Sequence, residues 1–389
     1  MNILDKMINY DNKCCGCSAC WNICPKLAID FKENSEGFEY PVIDKDKCID
    51  CGICITVCPA INSQGKNNFK DEVFACANLN EQEQYNSSSG GVFTLLSKEV
   101  LNRSGVVYGA AFENAKVVKH IKIEREEDIA KIRGSKYLQS KMSSVYDSVK
   151  EDLELGKYVL FSGTPCQVGG IRNFLRKDYR KLLLVDFICH GVPSPLVWRK
   201  YIDEYEKIIN NKIVLVNFRN KKNGWKNFNL CLKDASGKLF IEEHEKNVYM
   251  KGFLNELYLR PSCYNCSCKG TDRVSDITIG DFWGVDTIYP SFFDNRGISV
   301  LKVNSDLGYE FFCDIKKHMK YIKVDVNDVI KHNPAFVTSA KINKNRNKFF
   351  EELNSSNSII DCINKYYLDV SLRKKISILL RKKVKDIFS

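Results

Sequence analysis

The chain has 389 residues, with 59 Lys and Arg against 48 Asp and Glu for a formal charge of +11, and 18 cysteines. That length predicts roughly two or three domains with a substantial core, and no run approaches the ~18 apolar residues of a membrane-spanning helix. The opening MNILDKMINYDNK has no apolar signal-peptide core, so the cysteines point to a reducing, cytoplasmic compartment rather than to a secreted disulfide framework.

Two cysteine runs share one pattern. Cys14, Cys17, Cys20 and Cys24 are followed by Pro25, and Cys48, Cys51, Cys54 and Cys58 by Pro59. Each is the C-x2-C-x2-C-x3-C-P arrangement of a two-cluster ferredoxin, in which the fourth cysteine serves the other cluster. Cys14, Cys17, Cys20 and Cys58 are therefore assigned to one [4Fe–4S] site, and Cys48, Cys51, Cys54 and Cys24 to a second. The fourth cysteine is expected to turn away on a short helix started by the proline. Zinc knuckles use paired cysteines instead. Cys15 is left over as a packed or free thiol. Each oxidised tetrathiolate centre carries about two negative charges, so two or three centres reduce the positive excess to roughly +5 to +7. With no helix-turn-helix signal or arginine-rich arm, nucleic-acid binding is not expected.

Between the runs, AIDFKENSEGFEYPVID alternates around a Ser-Glu-Gly turn and predicts a hairpin. Residues 62 to 70 read as a linker. From Glu72 strands and helices alternate. KYVLFSG and KLLLVDFICHG flank the helical VGGIRNFLRK, as in a buried parallel sheet. Residues 213 to 241 read as strands and turns, and DITIGDFWG as a strand ending in a glycine-rich loop. The tail YYLDVSLRKKISILLRKKVKDIFS spaces Leu372, Ile376, Leu379, Leu380 and Val384 as a basic amphipathic helix. Such a helix covers the core, docks a partner or makes peripheral contact with an anionic membrane.

In FSGTPCQVGG, Thr164 suits an N-cap and Pro165 the first helical position, so Cys166 and Gln167 lie where free amides favour an anion. Cys189 closes the next strand at the same sheet edge, and Cys263 with Cys266 supplies a C-x2-C pair. These four predict a third [4Fe–4S] site, with Cys268 as a substitute ligand and a zinc site or unconnected core cysteines as the alternatives. Cys76, Cys231, Cys313 and Cys362 read as packing residues. Ser87, Ser88, Ser89, Gly90 and Gly91 precede an apolar helix and offer N-cap hydroxyls with unobstructed amides. Lys136 and Tyr137 could hold a flavin's phosphates and cover its ring. His190 could bond the flavin or carry a proton, and Asp281 could orient the cofactor or cap a turn. Arg219, Lys221 and Trp225 could form an anion-and-ring site, but read better as an exposed hairpin.

Taken in order, SSSGGVFTLL, RGSKYLQS, FSGTPCQVGG, DFICHGVPSP, FRNKKNGW and CYNC before SDITIGDFWG resemble the coenzyme F420 hydrogenase/dehydrogenase beta-subunit family, behind a ferredoxin domain. The resemblance implies an FAD-containing iron–sulfur oxidoreductase that passes electrons between clusters and a two-electron organic acceptor such as F420. It implies an electron-donor or acceptor protein such as ferredoxin as partner. Its cofactor-binding motifs map onto Ser89, Gly90, Gly91, Lys136, Tyr137, Thr164, Pro165 and Gln167, with His190 and Asp281 nearby; Lys136 and His190 are the catalytic candidates. The expected architecture is an α+β two-cluster ferredoxin domain over residues 1 to 62, an α/β flavin-binding domain over 72 to 335, and a helical basic segment over 336 to 389. A non-catalytic electron-transfer subunit and an iron–sulfur sensor are the competing readings.

Overall fold

The structure is a computed structural model, and it describes residues 12–62, 69 and 72–367. The predicted hairpin is present: β1 (Ile29–Glu33) pairs antiparallel with β2 (Glu39–Ile43). Gly37 turns between them at φ +85, and a Cβ there would fall 2.2 Å from Leu196 Cβ. The single-turn helices Ala19–Asn22 and Ile53–Thr56 lie before Cys24 and Cys58. This corrects the expectation of a helix begun by the proline. Pro25 and Pro59 have no N–H to extend a helical ladder and instead close these turns.

Nine further strands form one sheet: β3 (Glu72–Asn78), β4 (Val106–Asn114), β5 (Val117–Ile123), β6 (Ser140–Lys141), β7 (Val159–Ser162), β8 (Leu182–Phe187), β12 (Ile277–Asp281), β13 (Ser299–Val303) and β14 (Met319–Lys323). Their order is β14-β3-β13-β12-β8-β7-β4-β5-β6. The centre, β12-β8-β7-β4, is parallel as the apolar runs predict. Both flanks add antiparallel pairs, so the sheet is mixed. Leu160, Leu183, Val185 and Ile277 are buried at its middle. Residues 213 to 241 make a separate antiparallel sheet of β9 (Ile213–Asn220), β10 (Asn229–Asp234) and β11 (Leu239–Glu243). It covers an aromatic core that includes Trp198, Phe218, Tyr249 and Tyr258.

The cysteine-rich module packs directly on this body. Cys17, Ala19 and Val57 share a core with Val168, Ile171 and Phe174 of the helix Pro165–Leu175. Asn173 Nδ2 donates to Asn62 O at 3.0 Å, and Arg346 Nη1 donates to Glu36 Oε1 at 2.7 Å. Beyond residue 335 the chain is largely helical, through Arg346–Leu353 and residues 359–367. The predicted basic amphipathic helix falls almost wholly outside the described residues. Among those described, no helix is long and apolar enough to cross a membrane.

Candidate functional site

Three groups of thiols and one large cavity lie in sequence from the module into the body. In the first group, burial pushes the Cys20 thiol up, and Cys14, Cys58 and Cys54 push it further by repulsion. Against a hydrogen bond from Cys15, burial and then Cys58 and Cys20 raise Cys17. In the second group burial raises Cys54, with Cys51, Cys24 and Cys48 adding repulsion. Cys24, Cys48, Cys51 and Cys54 line one small cavity. Cys20 thus has Cys14 and Cys58 beside it, with Cys54 also near, while Cys24 lies with Cys48, Cys51 and Cys54. Cys51 is exposed and Cys17 buried, so the first site is inner and the second outer.

Thiols crowded as Cys17, Cys20 and Cys54 are, each raised by burial and by neighbouring sulfurs, fit a polynuclear cation, whose charge would relieve that repulsion. Among the described residues, no group of three or more His, Cys, Asp or Glu is arranged to hold a single metal ion. A cubane spreads its thiolates over four irons and needs no such tight convergence.

A third group forms where the parallel strands end. Cys166 follows β7 on the helix Pro165–Leu175, whose start is a complete capping box: Gln167 N donates to Thr164 Oγ1 and Thr164 N donates to Gln167 Oε1. Cys189 follows β8. They meet Cys263, Cys266 and Cys268 around a cavity of about 220 Å³, together with Cys15, Lys269 and Arg273. Burial pushes the Cys189 thiol up to about 12, opposed by Lys269, whereas the neighbouring Cys268 thiol holds Cys266 below the ordinary range. Cys15 packs against the core that holds Cys17 and lines this cavity with Cys166, so it stands between the inner site and this group. Its spacing outside the repeated motif gives no signal of that position. Cys76, Cys231 and Cys362 are buried in cores and Cys313 packs beside one.

A cavity of about 600 Å³ opens over the same sheet edge. Ser88, Ser89, Gly91, Lys136, Tyr137, Gly163, Thr164, Gln167, His190 and Asp281 line it, and so do Cys15, Cys166 and Cys189. Ligands in such sheets bind outside the carboxyl ends of the strands. The serine run differs from expectation. The N-cap of the helix Val92–Asn102 is Gly91 at φ 88, without a side-chain cap. The hydroxyls turn elsewhere: Ser87 Oγ donates to Glu83 O, Ser89 Oγ donates to Ile298 O, and Ser88 Oγ accepts from Ser135 N. Gly90 lies against β3 and β13, where a Cβ would come within 2.2 Å of Cys76 O. Only glycine permits that approach, and it leaves the first-turn amides uncapped.

Lys136 Nζ donates to Arg133 O at 2.9 Å and has no carboxylate partner among the described residues. Burial, with Arg133 adding repulsion, lowers its pKa to about 7. Burial and Lys269 likewise lower His190 to about 4. His190 is thus neutral near pH 7, and its Nε2 is buried without a hydrogen-bond partner. A lysine without a carboxylate partner, a free imidazole nitrogen and open amides form a set that fits a phosphate-bearing heterocycle.

Asp281 has both oxygens engaged. Arg219 donates to Oδ2 and Oδ1 at 2.8 and 3.1 Å, and Trp225 Nε1 donates to Oδ1 at 2.9 Å. Arg219 also donates to Ser88 O and Tyr137 Oη, so Asp281 steadies the cavity wall through Arg219. The exposed-hairpin reading is corrected here: Arg219, Lys221 and Trp225 are all buried. Lys221 Nζ donates to the carbonyls of Gln84, Ser89 and Arg296, partners from distant segments that no local pattern announces.

Residues 156–328 match the family model for the C terminus of the coenzyme F420 hydrogenase/dehydrogenase beta subunit, and residues 13–61 match the 4Fe-4S dicluster domain. The chain carries the C-terminal domain of the coenzyme F420 hydrogenase/dehydrogenase beta-subunit family behind a 4Fe-4S dicluster domain. Residues 13–61 are accordingly an iron–sulfur module. Among solved structures it is similar to a chain of the F420-reducing [NiFe] hydrogenase complex from Methanosarcina barkeri, with 16% identity, 75% of this chain and 94% of that chain covered, and a TM-score of 0.46. No curated protein matches the chain.

Proposed function

We propose that the chain is an FAD-dependent iron–sulfur oxidoreductase, relaying single electrons between its cluster sites and a two-electron organic acceptor such as coenzyme F420 or another reducible substrate. The observation that carries this is the shared wall: Cys15, Cys166 and Cys189 line both the 600 Å³ cavity and the third thiol group. Redox centres held there would adjoin the cavity's ligand with no intervening domain. Residues 1 to 62 would serve as the electron port, 72 to 335 as the flavin-bearing unit and 336 to 389 as a supporting segment.

In this reading Cys14, Cys17, Cys20 and Cys58 hold the inner cluster, Cys24, Cys48, Cys51 and Cys54 the outer, and Cys166, Cys189, Cys263 and Cys266 a third. When bound, the flavin supplies the conversion between one-electron and hydride chemistry. The chain's part is to bind and orient it. Gly91 and the uncapped amides of its helix would hold the phosphates, with Lys136 as the counter-charge. Thr164 and Gln167 fix the start of the second helix. His190 Nε2, which has no hydrogen-bond partner among the described residues, would be free to hydrogen-bond the cofactor, and Arg219, held by Asp281, keeps Tyr137 in place. Anaerobic purification and measurement of FAD binding test the reading: Lys136→Ala should lose flavin, and equal flavin content in that variant would remove Lys136 from the site.

A further inference from the structure

Arg260 lies at the junction of the two halves and is fully buried. It stands three residues before Cys263, and its side chain reaches into the cysteine-rich module. Nε donates to Cys14 O at 2.7 Å, Nη2 to Glu39 O at 2.8 Å and Nη1 to Gln139 Oε1 at 2.9 Å. Nη2 also points at Cys14 Sγ, 3.7 Å away. The guanidinium carbon lies 4.4 Å from the centre of the Tyr40 ring and 5.3 Å from that of Phe38.

Every acceptor of this guanidinium is formally neutral except the sulfur. No carboxylate pairs with it among the described residues. A guanidinium does not lose its proton in a protein, and a buried charge without an opposite charge is strongly unfavourable. The anion that this site requires is the thiolate set of which Cys14 is a member. The outer site has the opposite surroundings: Cys48 Sγ lies 3.9 Å from the Asp50 carboxylate.

We propose that Arg260 is the counter-charge of the inner cluster site and raises its reduction potential, acting as a positioning residue that also ties this site to the Cys263 loop. The inference rests on the cluster assignment above. Reduction adds one electron and makes the site more negative, with no bond formed and no proton required, so a fixed positive charge in hydrogen-bonding distance of a ligand sulfur stabilises the reduced form. Arg260 itself is fully buried, so that charge is little screened.

The test is an anaerobic redox titration of the full chain followed by electron paramagnetic resonance, with iron measured on each sample. Asp50→Asn marks the outer site's midpoint. Arg260→Gln should lower a different midpoint, changing the electron-partition constant between the two ferredoxin sites at least tenfold, about 59 mV for a one-electron couple. Gln139→Glu, which places a carboxylate on the guanidinium without altering its shape, should shift the same midpoint downward. Arg260→Lys should stay near the unaltered value. Should Arg260→Gln lose four irons while Arg260→Lys keeps them, the charge is again what matters. Full iron with unmoved midpoints in Arg260→Gln and Gln139→Glu would overturn the proposal, and so would equal iron loss in Arg260→Gln and Arg260→Lys. Absence of iron from the unaltered chain would instead refute the cluster assignment itself.

Discussion

Gly170 receives Cys17: a Cβ on Gly170 would fall 3.1 Å from Cys17 Sγ and 2.8 Å from Tyr146 Oη. One turn earlier the same helix carries Cys166. A single helix thus sets the spacing between the inner ferredoxin site and the third thiol group. Tyr146 cannot easily retreat, because its hydroxyl donates to Gln167 O at 2.9 Å. Gly170→Ala gains about 1 kcal/mol of helix propensity and loses about 1–3 kcal/mol to overpacking. The net expectation is a lower melting temperature and loss of iron from the inner site. Gly169→Ala meets only Pro59 Cβ, at 3.2 Å, and should be close to neutral. Iron content and melting curves for both variants check this; identical behaviour of the two would show that the helix does not set the spacing.

Lys136 gives a pH signature. Its folded pKa of about 7 lies below the ordinary lysine value, so in the empty site the charged form fades as pH rises through 7. An anionic ligand raises that pKa, and binding then takes up a proton. FAD affinity should therefore fall as pH rises above about 7, and be level well below it. Lys136→Met should bind FAD more weakly with the slope abolished. For the empty protein the sign is opposite: the depressed pKa makes this residue's contribution to stability grow between about pH 7 and the unfolded value. Fluorescence titrations of FAD across pH 6 to 9 measure the first effect.

Removing the Asp281 carboxylate leaves Arg219 charged and buried. Asp281→Ala should destabilise the chain by about 3–5 kcal/mol, the usual consequence of breaking a buried pair, and should loosen Tyr137 and Ser88 through Arg219. Denaturant unfolding gives the value. A loss under about 1 kcal/mol would mean that water reaches Arg219.

Cys268 and Cys15 line the third thiol cavity beside the four assigned ligands. Serine at Cys166, Cys189, Cys263 or Cys266 should lower iron by four per chain, whereas Cys268→Ser and Cys15→Ser should retain it. Loss of four irons in Cys268→Ser with retention in Cys266→Ser would exchange those two roles.

Much of this organisation is legible in the sequence because its determinants are local. The repeated cysteine spacing marks the 4Fe-4S dicluster domain over residues 13–61, and Thr164 and Gln167, with Pro165 at the first helical position, form the capping box that their types imply. Cys166 and Cys189 share a sheet edge because β7 and β8 are parallel. Other features depend on distant partners. Lys221 is buried by carbonyls more than 70 residues away in sequence, and Arg219 finds Asp281 across 62 residues. The serine hydroxyls do not act as the expected caps because Ile298 and Ser135 claim them. Arg260 belongs to no motif, and only its burial beside Cys14 exposes its role. The antiparallel flanks of the sheet are not legible because short apolar runs do not encode strand direction.

The central claim is that cluster sites and a flavin cavity share one chain. Its most direct test is the iron, acid-labile sulfide and released flavin per chain after anaerobic purification. About twelve irons with one FAD is the predicted result, from three cubanes and one flavin. About eight irons with no flavin, even after reconstitution with FAD, would contradict the account and leave a ferredoxin-like carrier.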